Sequence, residues 1–255
     1  MTYSNAVLND ANRDIHLQDP RTHVVSAVGA VGTGKSSLLN AMAGELKTWQ
    51  YIPNNVTKYV HMIDTPGLCD TSARDRQNVQ EMVRYFKSLA FGVSSFLLVF
   101  DIKDIRLDAY TQDMLNLFQQ LLGKDFWNFV VIVFTHVDEE VRDELDDAIE
   151  AVLDPTDGFV AELARIFKLS PKTFVPNLIF TTTQNVRMSA YGQRQIRELY
   201  NSVVRCEARN DGRRFNCKWL RQILTHQTEE EKSDFIVGSI MDAWSSMATN
   251  VCRLQ

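Results

Sequence analysis

The chain has 255 residues, 45% hydrophobic and 23% charged, which bounds it to one large globular domain or a domain with appendages. A formal charge of -5 and a pI of about 5.6 exclude the broad basic footprint of a nucleic-acid binder. Four cysteines (Cys69, Cys206, Cys217 and Cys252) show no paired metal spacing and read as free thiols of a reducing compartment.

Residues 1–20 form a polar lead-in ended by Pro20, with neither the basic start nor the apolar core of a targeting segment. No run of about 18 apolar residues follows anywhere, so a cytoplasmic chain is expected. The β-branched run from His23 to Val28 predicts a buried strand. It leads into Gly29-Ala30-Val31-Gly32-Thr33-Gly34-Lys35-Ser36, which fits the phosphate-loop pattern at every defined position. A helical run from Ser37 to Ala43 comes next and is closed by Gly44-Glu45.

The chemistry explains this spelling. A phosphate chain is wrapped by backbone N–H groups, and side chains would block the approach. Gly29, Gly32 and Gly34 supply bare backbone, and the following helix aims its unpaired N–H groups at the anion. Lys35 reaches the β and γ phosphates and is a candidate catalytic residue. The Ser36 hydroxyl is a candidate Mg²⁺ ligand, and Thr33 and Ser37 complete the nucleotide-contacting set of the loop.

Residues 45–57 read as a loop carrying Pro53 and Asn54-Asn55. Lys58 to Ile63 alternates like a strand and runs into Asp64-Thr65-Pro66-Gly67. By itself that tetrapeptide is a β-turn. One strand after a phosphate loop, Asp64 falls beside the metal and the Gly67 N–H falls at the γ-phosphate.

Residues 74–91 predict an amphipathic helix, and Phe96 to Phe100 an apolar strand covered on both faces. Asp108 to Leu122 is a second amphipathic helix, and Phe129 to Phe134 the next buried strand. That strand delivers Thr135-His136-Val137-Asp138. A carboxylate there accepts two hydrogen bonds, from guanine N1 and its 2-amino group, and adenine has no such pair of donors. Asp138 therefore points to GTP over ATP, with Thr135 beside it and His136 along the base. The local alternative is a helix N-cap ahead of Glu139-Glu140.

Residues 139–168 hold one or two helices broken near 154–158, and Asn177 to Thr182 reads as the last strand. Asn185, in the loop that follows, is a candidate for packing on the guanine, an ordinary loop residue being the alternative. Tyr191 to Cys206 is a closing helix. Residues 208–214 read as a charged linker, followed by helices at Trp219 to His226 and Glu229 to Val251. Two readings stand for the last helix: packing on the preceding domain, or contact with a partner or membrane surface.

Strands alternating with helices predict a doubly wound, mainly parallel α/β sheet with ligand loops at the strand carboxyl ends. The expected division is a lead-in (1–20), a phosphate-loop G domain (21–206) and a C-terminal helical extension (207–255).

Five marks add a resemblance. They are Gly34-Lys35-Ser36-Ser37 with Asn40; Ile63-Asp64-Thr65-Pro66-Gly67-Leu68; Arg106-Leu107-Asp108-Ala109-Tyr110; Gly123-Lys124-Asp125-Phe126-Trp127; and Phe134-Thr135-His136. Over roughly residues 22–205 the chain resembles the AIG1-type GTPases, which include immunity-associated GTPases and chloroplast outer-envelope import receptors. The resemblance implies a GTP/GDP switch with Mg²⁺ that forms a nucleotide-dependent homodimer across its nucleotide face. It also implies that Arg106 acts across that dimer as an arginine finger, with a surface salt bridge as the alternative. The import receptors carry another arginine after the matching tyrosine, where this chain has Thr111. The interval from Ser36 to Asp64 is short for the family, so the metal-binding switch threonine is assigned to Thr57, with Thr48 or no threonine as alternatives. Leu68 stands where many GTPases have a water-orienting glutamine, so slow hydrolysis is expected. The competing reading is a GTP-binding assembly scaffold that hardly hydrolyses.

Overall fold

A computed structural model describes residues 22–46, 59–65, 76–138, 143–170, 172–184, 186 and 189–252. Strand β1 (Thr22–Val28) runs into the phosphate loop and helix α1 (Lys35–Leu46). Then come β2 (Tyr59–Asp64), α2 (Arg76–Leu89), β3 (Ser95–Asp101) and α3 (Ala109–Leu122). A 3-10 helix (Lys124–Phe129) leads into β4 (Val130–Thr135). The chain continues through α4 (Leu145–Leu153), α5 (Phe159–Ile166), β5 (Asn177–Phe180) and α6 (Ala190–Arg209), and ends in α7 (Lys218–Thr225) and α8 (Glu229–Cys252).

The five strands pair in the order β2-β1-β3-β4-β5, every pair parallel. From β1 the chain winds one way to β2; from β3 it winds the other way to β4 and β5. The reversal lies between β1 and β3, and in doubly wound sheets the crevice there takes the ligand. The expected fold class is therefore observed, with the sheet wholly parallel among the described residues.

Alternation along the strands sorts the core into two layers. Val25 and Ala27 of β1, Leu97 and Val99 of β3, and Val131 and Val133 of β4 face an aliphatic layer under α1 and α6. Their neighbours Val24, Val28, Phe96, Leu98, Ile132 and Phe134 face a second layer that is rich in rings. There Phe86 of α2 meets Phe118 of α3 and Trp219 of α7 edge to face, at centroid separations of 5.7 and 5.1 Å.

Helix limits follow local chemistry. The Asp108 carboxylate accepts from the Thr111 N–H and caps α3, and Gly123 ends that helix at φ 84°. Helix α1 runs through Gly44 to Leu46, two residues beyond the predicted stop. Helix α8 starts with a capping box: the Thr228 hydroxyl accepts from the Glu231 N–H, and the Glu231 carboxylate accepts from the Thr228 N–H.

The stretch read as a charged linker is not one. Helix α6 extends to Arg209, a turn follows, and Phe215 then pairs with Val93 through two backbone hydrogen bonds of 3.0 and 2.7 Å. A Cβ on Gly92 would sit 3.0 Å from the Phe215 carbonyl, so a bare residue permits this approach. Burial of Phe215 between Phe96 and Phe129 anchors the crossing.

Helices α7 and α8 lie on α2 and α3. Ile236 and Ile240 are fully buried in the ring-rich layer, and Trp219 donates to the Ser239 hydroxyl. Lys87 of α2 bonds the Glu229 carboxylate at 2.8 Å and the Ser233 hydroxyl at 2.9 Å. Of the two readings for the last helix, packing on the preceding domain is the one observed. Among the described residues no helix is long and apolar enough to cross a membrane. Cys206 and Cys217 are free thiols, and burial pushes both up from the ordinary thiol value; the side chains of Cys69 and Cys252 lie outside the described residues.

Two outcomes are expected. Ile240→Ala should lower the stability of the whole chain by about 2–5 kcal/mol in urea unfolding, as one transition, since the side chain is shared between α8 and the main core. Acid should loosen α8. Hydrogen bonds from Lys232 and Lys87 hold the Glu229 carboxyl below its usual range, and backbone N–H groups do the same for Glu231. A depressed carboxyl stabilises above its unfolded value and loses that contribution as pH falls through its folded value. Circular dichroism against pH should therefore show helix loss beginning below the ordinary glutamate range.

Candidate functional site

The phosphate loop leaves β1 at Gly29, and the sheet fixes which residue can stand there. A Cβ on Gly29 would lie 2.3 Å from the Val99 carbonyl of β3. Gly32 and Gly34 adopt φ of 86° and 83°, a region that side chains disfavour. The Ala30 carbonyl inside the loop accepts from the Lys35 Nζ at 2.7 Å and the Thr33 hydroxyl at 3.0 Å. Lys35 is thereby folded back across the loop, nearly buried, with its charge at the centre of the cradle.

The second motif reaches the same place. The Ser36 hydroxyl, in the first turn of α1, donates to Asp64 Oδ2 at 2.5 Å, at the carboxyl end of β2. The next residue, Thr65, is buried, and its hydroxyl has no hydrogen-bond partner among the described residues. A hydroxyl and a carboxylate side by side, at a helix N-terminus, suit a hard cation that completes its shell with phosphate oxygens and water. Among the described residues no group of three or more His, Cys, Asp or Glu is placed to hold a metal ion. Residues and chemistry fit Mg²⁺ held jointly with a nucleotide.

The third motif closes the other side. Thr135 is fully buried, and its hydroxyl donates to the Thr33 carbonyl at 2.6 Å while lying 3.1 Å from the Phe100 carbonyl. It braces the phosphate loop instead of facing solvent. His136 takes a left-handed backbone, φ 59°, and its Nδ1 lies 2.8 Å from Asp101 Oδ2. Its Nε2 edge lies over the loop, 3.6 Å from where a Cβ on Gly34 would be. Asp138 remains partly exposed, and Lys103 Nζ sits 2.5 Å from its Oδ2. The alternative for Asp138, a helix N-cap ahead of Glu139-Glu140, falls on residues outside the described ones.

Ser37 is exposed beside Ser36. Arg106 is mostly exposed and forks onto Asp104 through Nε and Nη2. This pair holds the Asp104 carboxyl below its usual range. Thr111 is buried and its N–H goes to Asp108. Gly67, Thr57 and Asn185 lie outside the described residues, as do Thr48 and Leu68.

Asp101 and Lys103 belong to no motif, yet they contact the two ionisable residues of the third one, His136 and Asp138. The available signal was a carboxylate ending the apolar run Phe96 to Phe100, at a strand carboxyl end where ligand loops gather.

A phosphate loop at the switch point of a parallel sheet, with a hydroxyl–carboxylate pair at its mouth, defines a phosphate-loop nucleotide-binding fold. The sequence matches the AIG1 family over residues 23–234, and the chain belongs to that family. It is 25% identical over 237 residues to Immune-associated nucleotide-binding protein 13 of Arabidopsis thaliana, covering 86% of this chain and 66% of that one. Immune-associated nucleotide-binding protein 9 of the same plant is 27% identical over 220 residues, covering 80% and 59%. The chain thus spans about three fifths of the length of these relatives. Among solved structures, Toc33 from Arabidopsis thaliana in complex with GDP and Mg²⁺ superposes with a TM-score of 0.54 at 17% identity, over 79% of this chain and 90% of that one. A dimerisation-deficient arginine-to-alanine mutant of the same protein gives 0.54 at 18% identity, over the same shares. At such identities the likeness is one of fold.

Two substitutions separate crowding from backbone strain in the loop. Gly29→Ala forces a methyl against the Val99 carbonyl and should destabilise by about 1–3 kcal/mol. Gly32→Ala meets nothing within 4 Å and should cost only its left-handed backbone, about 1–2 kcal/mol. Thermal unfolding of both variants checks the order.

Proposed function

We propose that this chain binds GTP and GDP with Mg²⁺ and acts as a slow, guanine-specific switch. The observation that carries the reading is the meeting at one loop of Lys35, the Ser36–Asp64 pair and His136, with Asp138 two residues further on in the same motif. Lys35 leaves the Ala30 carbonyl for the β and γ phosphates and stabilises the charge that builds between them on transfer. Gly29 to Gly34 bind the phosphates through backbone N–H groups, with Thr135 holding the loop in shape. Ser36 and Asp64 hold Mg²⁺, with Thr57 as the switch threonine; the ion supplies neutralisation of the phosphate oxygens. Gly67 senses the γ-phosphate. Asp138 reads the guanine edge, and His136 and Asn185 flank the base.

Hydrolysis is slow because Leu68 cannot orient the attacking water. The likeness to Toc33 supports a dimer-dependent step, since dimerisation is important for the GTPase activity of Toc33 and Toc159. In that step Arg106 exchanges Asp104 for the phosphates of a second copy. The assembly-scaffold reading keeps one observation on its side: the Arg106 fork is already filled by Asp104.

Three measurements test this. Lys35→Ala should weaken GTP and GDP about ten- to a hundred-fold in equilibrium binding, the scale of charge-assisted hydrogen bonds. ATP should fail to displace labelled GDP, and displacement at comparable concentration would sink guanine selectivity. Arg106→Ala should keep GTP affinity while abolishing the rise in specific activity with protein concentration. Wild-type activity that stays flat with concentration, in a chain that forms dimers with GTP, would favour the scaffold.

A further inference from the structure

The turn after β3 connects the two ionisable residues of the third motif, His136 and Asp138. Asp101, the last residue of β3, spends one carboxylate oxygen on His136 Nδ1 at 2.8 Å and the other on the Lys103 N–H at 2.9 Å. The Asp104 N–H returns to the Asp101 carbonyl at 3.2 Å, and the Ile102 N–H goes to the Thr135 carbonyl at 3.2 Å. This fixes the Lys103 backbone against the end of β4. The Lys103 side chain then lies along Asp138, Nζ to Oδ2 at 2.5 Å. The circuit His136, Asp101, Lys103, Asp138 starts and ends within four residues of one motif.

The position of the ammonium has a consequence for the ligand. Guanine offers N1–H and its 2-amino group together, and a carboxylate reads the pair by accepting one bond at each oxygen. Lys103 holds one of those two oxygens. Each carboxylate oxygen has two lone pairs, and a purine donor that comes in along the approach taken by the Lys103 ammonium to Oδ2 displaces it.

We infer that Lys103 is a built-in competitor for guanine: it pairs with the Asp138 carboxylate and must be expelled when the base enters, so it sets nucleotide affinity and entry rate. This rests on Asp138 being the guanine reader. The side chain is half exposed, so it is released to water and its loss leaves no buried void. The pair is an exposed one, which limits the competition to a modest factor and makes it sensitive to salt.

The test uses the full chain with Mg²⁺ and labelled GDP. Lys103→Met and Lys103→Gln should each tighten GDP binding about two- to five-fold, mostly through faster association. That advantage should shrink as salt rises from about 0.05 to about 0.5 M. Unchanged or weaker GDP binding by both variants at low salt overturns the inference. Asp138→Asn is the control for the underlying reading. It should lose GDP and gain xanthosine diphosphate, whose 2-oxo group suits an amide donor. If Asp138→Asn keeps its GDP affinity, the guanine-reading role itself falls and the Lys103 inference with it. If it switches base while the Lys103 variants do not tighten, Lys103 alone is overturned.

Discussion

The Thr135 hydroxyl sits at the carboxyl end of β4, fully buried, and donates to the carbonyl of Thr33 in the phosphate loop. The Phe100 carbonyl of β3 lies within reach of the same oxygen. One side chain thus fastens the loop after β1 to the ends of two other strands. Gly29, pressed against the Val99 carbonyl, fixes the same loop from the opposite side. An anion cradle must be shaped before the anion arrives, because each N–H that reorients on binding subtracts from affinity. Here the shaping is done by the sheet, with Lys35 folded across the loop and Asp64 at the neighbouring strand end.

The two faces of the sheet do different work. The aliphatic face seats α1, whose first turn carries Ser36, and α6. The ring-rich face seats α2 and α3 and, over them, α7 and α8. Phe86 is the meeting point, in contact with Phe118 below and Trp219 above. Helix α2 begins a few residues after the Asp64-Thr65-Pro66-Gly67 motif, and the Lys87 bonds to Glu229 and Ser233 tie it to α8. The C-terminal helices are therefore mechanically joined to the element that follows the second motif.

Much of this was legible in the sequence, for physical reasons that differ by region. Strands β1, β3 and β4 announced themselves because burial on both faces demands uninterrupted apolar runs such as Phe96 to Phe100. The phosphate loop was legible because backbone recognition of phosphate leaves few spellings. Three features were not. The 3-10 helix at Lys124–Phe129 carries no periodic pattern, its Phe126 and Trp127 being held by ring packing and by the bond from the Trp127 indole N–H to Gln119. The turn to Phe215 reads as a linker because its charged residues hide one buried aromatic whose partner, Val93, is far away in sequence. The roles of Asp101 and Lys103 depend on the β3–β4 register, which sets Asp101 beside Thr135, and no local pattern encodes that neighbour.

The parallel sheet also has a consequence for how the chain comes into being. Among the described residues every strand pair closes over a crossover, and such long closures are slow. The phosphate loop is made before the hydroxyl that braces it, which lies 102 residues further on. A ribosome moving from the amino end exposes an unbraced loop throughout that interval. The cradle therefore matures only after β4 has emerged, so a nascent chain holds its ligand late, when most of the sheet already exists.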